Sequence, residues 1–432
     1  MQVSRRQFLQ VAGLGAFSVA GASVLAGCGG SGSGDSGSSA SNSGSAAANK
    51  DKPVVFYNRQ PSNSKTGELD KTTLGWNKNT YYVGFDAKQG GELEGQMVLD
   101  YIKAHADTID RNGDGVIGYV LAIGDVGHND SIARTRGCRK ILGTGVEKDG
   151  EVISDAVGTN TDGSSKSVQD GSVEVNGKTY KIRELASQEM KTSAGATWDA
   201  PTAGNAISTW ASSFGDQIDL IVSNNDGMGM AMFNAWSKEN KVPTFGYDAN
   251  SDAVEAIGAG YGGTISQNPA VQAYLTLRLL RNAIDGVDIN TGISEADDAG
   301  NSISADDYKY SEEDRSYYAM NLSVTADNYK DFLDSTKLYE SAQSQLDESK
   351  SPKKKVWLNT YNSADNFLSS TYKPLLQKYD KLLNLDVSYV DGDGQNESSV
   401  TNKLANPSEF DAFAINMVKT DDGASYTALL AQ

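Results

Sequence analysis

Short runs of apolar residues, each followed by a stretch with helical spacing, decide what this chain can fold into. Residues 53–57, 81–85, 118–123, 218–222 and 242–247 are apolar along almost their whole length, with no alternation of apolar and polar positions. A strand with one wet face alternates, whereas a strand covered on both faces does not. Helical spacing follows over residues 91–106, 132–142, 228–240 and 253–259. Such a succession builds βαβ units, hence an α/β fold with parallel sheets covered on both sides. Ligands of these sheets bind at the carboxyl ends of the strands. Here those ends carry Asn58, Asp86, Asp125, His128, Asn224, Asn225, Asp226 and Asp248, a concentration of polar side chains at one expected mouth.

The first fifty residues stand apart. Arg5 and Arg6 precede an apolar run over residues 11–26. That run falls short of the ~20 apolar residues a spanning helix needs and suits a secretory signal. Ser4-Arg5-Arg6-Gln7-Phe8-Leu9 resembles a twin-arginine export signal, although a Sec lipoprotein signal also accommodates paired arginines. Leu25-Ala26-Gly27-Cys28 resembles a bacterial lipobox, making residues 1–27 the signal and Cys28 the lipidated first residue of an anchored, extracytoplasmic protein. Residues 28–50, almost all Gly, Ser, Ala, Asn and Asp, cannot bury enough surface to order themselves and read as a flexible tether. What remains is about 380 residues, enough for two lobes. The net charge of −18 argues against nucleic acid as a partner and for a self-repelling monomer. With Cys28 lipidated, Cys138 stands alone as a packed thiol, and no disulfide is available.

Two segments interrupt the pattern. Residues 151–183 are rich in Gly, Ser and Asp and contain an alternating run centred on Asn176-Gly177, a hairpin signal read as a surface insertion. Residues 338–353 are polar, charged and helix-permissive, and read as a connector. Beyond it the pattern resumes, with strands expected at 356–361 and 410–418 and a helix at 367–383.

In several segments the chain resembles the glucose/galactose-binding proteins of the type I periplasmic solute-binding fold. These are residues 53–58 and 81–84, Gly127-His128-Asn129-Asp130 through Arg134, Asn224-Asn225-Asp226, and Phe245-Gly246-Tyr247-Asp248. The family's usual opening, a strand followed by Asp-Asn-Phe, appears only after the connector, as residues 356–361 and Asp365-Asn366-Phe367; its usual end lies before the connector, at 324–337. The resemblance therefore implies a circular permutation whose connector joins the ancestral termini. A partial second domain at the C-terminus is the alternative. The implied fold is two Rossmann-like lobes with parallel sheets joined by a three-strand hinge near residues 84–85, 267–268 and 321–322. Lobe 1 would comprise 51–84, 268–320 and 354–432, and lobe 2 residues 85–267 and 321–337.

A sugar presents hydroxyls around its edge and two weakly apolar faces, so its site needs charged or amide groups in the ring plane and aromatic rings above and below. The resemblance puts Asp365, Asn58, His128, Asp130, Arg134, Asn225 and Asp248 in the plane, and Phe367 and Trp198 on the faces. Gln267 stands where the family typically has Asn. Taken singly, each has a plainer reading as a turn or core residue. The implied function is the sugar receptor of an ABC importer, delivering D-glucose or D-galactose to a membrane permease by hinge closure. A sensor that presents sugar to a membrane receptor or kinase is the second reading, and a sugar-processing enzyme the third. No nucleophile elbow, phosphate loop or zinc spacing is present, so no catalytic set is expected.

Residues 110–118 place Asp110, Asn112 and Asp114 at alternate positions, with Gly115 sixth and the Val116 carbonyl seventh, as in a calcium loop. Position twelve is Leu121, where an EF-hand needs Glu. The resemblance supplies Asp219 as the distant ligand of a structural Ca2+.

Overall fold

A computed structural model describes residues 49–63, 68–156, 168–238, 241–293, 307–339, 346–393, 396–404 and 406–431. The signal, Cys28 and nearly all of the tether lie outside the described residues, as do residues 157–167 of the hairpin segment and 340–345 of the connector. Among the described residues no helix is long and apolar enough to cross a membrane.

The strands are β1 (Val54–Tyr57), β2 (Thr80–Phe85), β3 (Val116–Ile123), β4 (Glu147–Lys148), β5 (Glu151–Val152), β6 (Gly171–Val175), β7 (Lys178–Glu189), β8 (Leu220–Ser223), β9 (Thr244–Tyr247), β10 (Gly263–Ser266), β11 (Tyr308–Ser311), β12 (Ser316–Ala319), β13 (Leu322–Val324), β14 (Lys354–Thr360), β15 (Leu385–Asp391) and β16 (Ala412–Ile415). All but the small β4–β5 pair belong to two seven-stranded sheets. The first runs β11-β12-β2-β1-β16-β14-β15, with only β11 antiparallel to its neighbour. The second runs β13-β10-β9-β8-β3-β7-β6, with antiparallel strands at its two edges only. The sheets are thus mixed, and parallel through their centres. Val54, Val55 and Phe56 are fully buried, as are Val120, Leu121 and Ala122, which explains why their runs do not alternate.

The tail is no separate domain. β16 pairs with β1, and β14 and β15 continue that sheet, so residues 354–415 supply three of its seven strands. In the second sheet the five parallel strands, in chain order β3, β7, β8, β9 and β10, stand in the spatial order 2-1-3-4-5. The first sheet shows this order only when reading starts at β14, passes through β15 and β16, and continues at β1 and β2.

The main helices are α1 (Ala87–Ala104), α2 (Asn129–Leu142), α3 (Ala200–Phe214), α4 (Asp226–Ala235), α5 (Ser251–Ile257), α6 (Pro269–Asp285) and α7 (Lys373–Leu382). α1 and α2 cross at backbone contact. A Cβ on Gly91 would stand 2.5 Å from the Ala133 carbonyl oxygen, and one on Gly137 would stand 2.3 Å from the Gly91 carbonyl carbon. Where α2 faces β7, Arg139 and Glu184 form a fully buried pair. The guanidinium donates from Nη2 and Nε to the two carboxylate oxygens at 2.7 and 2.9 Å, and from Nη1 to the Ile153 carbonyl at 2.8 Å. The Tyr119 hydroxyl donates to the same carboxylate at 2.9 Å.

Several boundaries differ from expectation. The helix expected over 228–240 is α4, which stops at Ala235, where Trp236 turns extended and buries its ring. The helix expected from Phe367 starts with a wider π-type turn, Leu368–Tyr372, before α7. The hairpin at Asn176-Gly177 forms, with Val175 opposite Lys178, but β6 and β7 extend the second sheet and bury Val173, Tyr180 and Ile182, so they are structural and not a surface appendage. The described part of the connector, 346–353, is turns rather than helix.

Candidate functional site

The carboxyl ends of the central strands of both sheets meet in one cleft. Its lining includes Asn58, His128, Asp130, Arg134, Trp198, Asn225, Asp248, Gln267, Asp365 and Phe367, the whole expected set, together with Arg59, Tyr361 and Leu368, which sequence reasoning missed. The space free of atoms within this lining, counting the part open to solvent, is ≈ 440 Å³. A roomier cavity lies on the far side of Asp248, beside Asp331, Phe332 and Tyr339, but of the expected residues it shares only Asp248.

Most of these side chains are set by the ends of helices. His128 caps α2: its Nδ1 lies 3.2 Å from the Asp130 amide, from which it accepts. That bond leaves the ring proton on Nε2, which is buried and has no partner among the described residues. Burial, with Arg59 and Arg134 nearby, holds the His128 pKa well below its ordinary value, so the ring is neutral and offers one free donor. Asn225 caps α4, its Oδ1 accepting from the Met228 amide at 2.9 Å. Asp365 accepts from the Leu368 amide at 3.0 Å and from the Tyr361 hydroxyl at 2.6 Å. The plainer readings as turn and cap residues therefore hold together with the cleft-lining one: each cap anchors a side chain that still faces the cavity.

Arg134 extends from α2. Its guanidinium carbon lies 3.6 Å from the centre of the Tyr247 ring and within 6 Å of the Phe85 and Trp198 rings. Its Nη1 donates to the Asn224 carbonyl at 2.7 Å and lies 3.6 Å from Asp248, while Nε is buried without a partner among the described residues. Trp198 meets the His128 ring edge to face, 5.8 Å between centres. Only glycine fits beneath it, since a Cβ on Gly124 would stand 2.2 Å from the indole. Phe367 is buried against Tyr372 at the opposite wall.

The cleft concentrates acid and strain. Burial pushes Asp248 up to about 7, against the lowering pull of Arg134 and with Asp365 adding to the rise. Burial likewise raises Asp130. Asn58, Trp198 and Asp248 of this lining adopt positive φ, a strained conformation for residues with a side chain, as do Ala249 and Asn268, the neighbours in sequence of Asp248 and Gln267.

Two profiles described as periplasmic binding protein domain match the chain, one over residues 36–288 and one over residues 353–423. The first alone covers more than half of the sequence. The chain belongs to the periplasmic binding protein domain family. Its members are non-catalytic solute-binding proteins, which makes the cleft of this periplasmic binding protein its candidate binding site. The D-galactose/methyl-galactoside binding periplasmic protein MglB of Haemophilus influenzae is 26% identical over 288 residues, covering 65% of this chain and 67% of that protein. The xylitol-binding protein of Mycolicibacterium smegmatis is 34% identical over 99 residues, covering 22% of this chain and 28% of that protein. Among solved structures, an ABC transporter solute binding protein from Actinobacillus succinogenes with bound D-allose has 18% identity and a TM-score of 0.41, covering 65% of this chain and 71% of that one.

Arg59 and Tyr361 carried a weak signal. Arg59 follows Asn58 directly, and Tyr361 follows the last residue of β14, so both stand at strand ends. Arg59 stacks on the Tyr361 ring at 3.9 Å and donates to the Met417 and Val418 carbonyls.

Away from the cleft, the 110–118 turn gathers Asp110, Asn112 and Asp114 as its spacing predicts. Their oxygens accept from the turn's own amides: Asp110 from Asp114 and Gly115, Asn112 from Asp114, and Asp114 from Val116. Asp219 accepts from the Arg111 and Gly118 amides at 2.9 and 2.8 Å. Burial pushes Asp219 up to about 7, and nearby Asp110 adds to the rise. The donors are all oxygen, the type a hard cation takes. Among the described residues, however, no three acidic, histidine or cysteine side chains are gathered as a metal cluster.

Proposed function

We propose that this periplasmic binding protein is the receptor of an ABC sugar importer and that its cleft takes one neutral hexopyranose, D-galactose or D-glucose. One observation carries the reading: neutral His128, buried Arg134, three carboxylates and three amides line a single cavity with Trp198 and Phe367. That inventory suits the polar edge and apolar faces of a sugar ring. The name of the Haemophilus influenzae relative supports galactose. Arg134 and His128 Nε2 donate to ring-edge oxygens, Asp248, Asp130 and Asp365 accept from hydroxyls, and Asn58 and Asn225 complete the plane. Sugar bound between the lobes favours the closed arrangement through its differential affinity, and the closed form docks on the permease.

Calorimetric titration of D-galactose and D-glucose into the chain from residue 29 onward, with D-ribose and xylitol as controls, tests the reading. One-to-one binding of a hexose is expected, with ribose silent. Binding of xylitol but neither hexose would move the ligand to an acyclic polyol.

The reading includes three further parts. The matching 2-1-3-4-5 strand orders support a circular permutation, with 338–353 joining the ancestral termini. Residues 1–27 act as the export signal and Cys28 as the lipid-bearing anchor; metabolic labelling with palmitate, lost in Cys28→Ala, tests this. Asp110, Asn112, Asp114, the Val116 carbonyl and Asp219 hold a structural Ca2+, whose charge would offset the crowded carboxylates. A calcium-dependent rise in melting temperature, absent in Asp219→Ala, is the expected result.

A further inference from the structure

Asp365 lies on the loop between β14 and the π-type turn Leu368–Tyr372, so its direction depends on what holds its side chain. Two groups do so. The Leu368 amide donates to Oδ1 at 3.0 Å, and the Tyr361 hydroxyl donates to Oδ2 at 2.6 Å. Held by one bond, a carboxylate pivots about its own axis; held by one on each oxygen, its plane is fixed. Each oxygen keeps a further lone pair for a ligand hydroxyl.

We propose that Tyr361 is a positioning residue that aims the Asp365 carboxylate into the cleft. The inference rests on the cleft being the binding site but not on which solute fills it. The Tyr361 hydroxyl is held in place from both ends of the residue. At the backbone, the Tyr361 amide donates to Asn416 Oδ1 at 2.8 Å, and Asn416 is tied across the sheet. Its Nδ2 donates to the Tyr57 carbonyl, at the end of β1, at 3.1 Å. Its amide donates to Asn359 Oδ1 at 3.1 Å, and its carbonyl accepts from Asn359 Nδ2 at 2.7 Å. The ends of β1, β14 and β16 are thereby locked together where they deliver Tyr361. At the ring, the Arg59 guanidinium lies over one face, 3.9 Å from its centre, and is itself anchored by the Met417 and Val418 carbonyls. Burial raises the Tyr361 pKa well above its ordinary value, with Asp365 adding to the rise and Arg59 opposing it, so the hydroxyl keeps its proton and serves as a donor. The ring belongs to the core of the first sheet, but packing alone would be met equally by phenylalanine. The hydroxyl is what a packing role does not need and an aimed carboxylate does.

Tyr361→Phe keeps the ring beneath Arg59 and deletes one oxygen atom, and circular dichroism checks that it folds. In the crystal structure of this variant the Asp365 carboxylate is expected to turn out of its wild-type plane. Calorimetry should show a several-fold loss of hexose affinity. In an Asp365→Ala background the same substitution should cost nothing further, because no carboxylate is left to aim, whereas a hydroxyl that bonds the sugar directly would cost affinity in both backgrounds. An Asp365 side chain that superimposes on wild type in Tyr361→Phe overturns the proposal, as does a turned carboxylate with unchanged affinity or a loss that repeats without Asp365. If wild type binds no hexose, a turned carboxylate still supports the positioning, and the failure falls on the monosaccharide reading instead.

Discussion

Arg134 and Arg139 lie five residues apart on α2, both buried, and face opposite fates. Arg139 is saturated: two bonds to Glu184, one to a carbonyl, a further hydroxyl in reach, and Tyr119 completing the carboxylate. Among the described residues Arg134 makes one hydrogen bond, to Asn224, leaves Nε without a partner and pairs with Asp248 only at 3.6 Å. A buried charge left so incompletely paired is costly unless something else completes it. The contrast separates a structural ion pair from a recognition group by satisfaction alone, with burial held constant.

Breaking the saturated pair should have the largest effect. Arg139→Ala leaves the Glu184 carboxylate buried without its partner, and breaking such a pair costs about 3–5 kcal/mol. Urea unfolding should show that loss, while hexose affinity in the folded fraction stays at wild type. Arg134→Met should reverse the pattern. Hydrogen bonds to a charged group are worth roughly 1.5–3 kcal/mol, so hexose affinity should fall at least tenfold while the unfolding midpoint stays near wild type or rises. If both substitutions cost stability alike, the distinction fails. Trp198→Ala comes next. Aromatic pairing contributes about 0.5–1.5 kcal/mol beyond area burial, so calorimetry should show a several-fold loss of affinity in a protein that still folds.

How much of this was readable beforehand follows the same division. The unbroken apolar runs at 53–57 and 118–123 gave away β1 and β3, because a strand covered on both faces has no polar positions to confuse the pattern. The polar strand ends gave away the mouth, and all ten expected cleft residues line it. α3 went unread: Ala200–Phe214 is small and polar along much of its length, and its apolar face shows only once Trp210 and Ile207 are buried. β11 and β12 were equally silent, since their Tyr-rich alternation fits an edge hairpin or an exposed loop. Nothing local in the sequence marks Arg139 as structural and Arg134 as the proposed recognition group. The difference lies in Glu184, on β7, which the parallel pairing with β3 brings beside one arginine and not the other. Long-range partners of this kind cannot be read from spacing.

The smallest expected effect is a displaced pH window, and it sharpens the comparison most. Burial lifts Asp248 from 3.8 to about 7, and Arg134 is the largest influence pulling it back down; Gln267 also lowers it, while Asp365 and Asp130 raise it. A carboxyl with a raised folded pKa binds a proton that the unfolded chain has already lost. The stability it contributes is complete below pH 3.8 and is lost as pH rises toward about 7. Asp248→Asn should remove that share of the loss, so its unfolding free energy should fall less than wild type's between pH 4 and pH 7, with Asp219 and the other raised acids contributing equally to both. Arg134→Met should move the Asp248 share of the window upward, since the charge that restrains the carboxyl is gone. Arg139→Ala should leave that share where it is, because its charge is held by Glu184 and does not figure among the influences on Asp248. A shift of equal size in both arginine variants would mean that Asp248 responds to net charge across the lobe and not to the one guanidinium 3.6 Å from it.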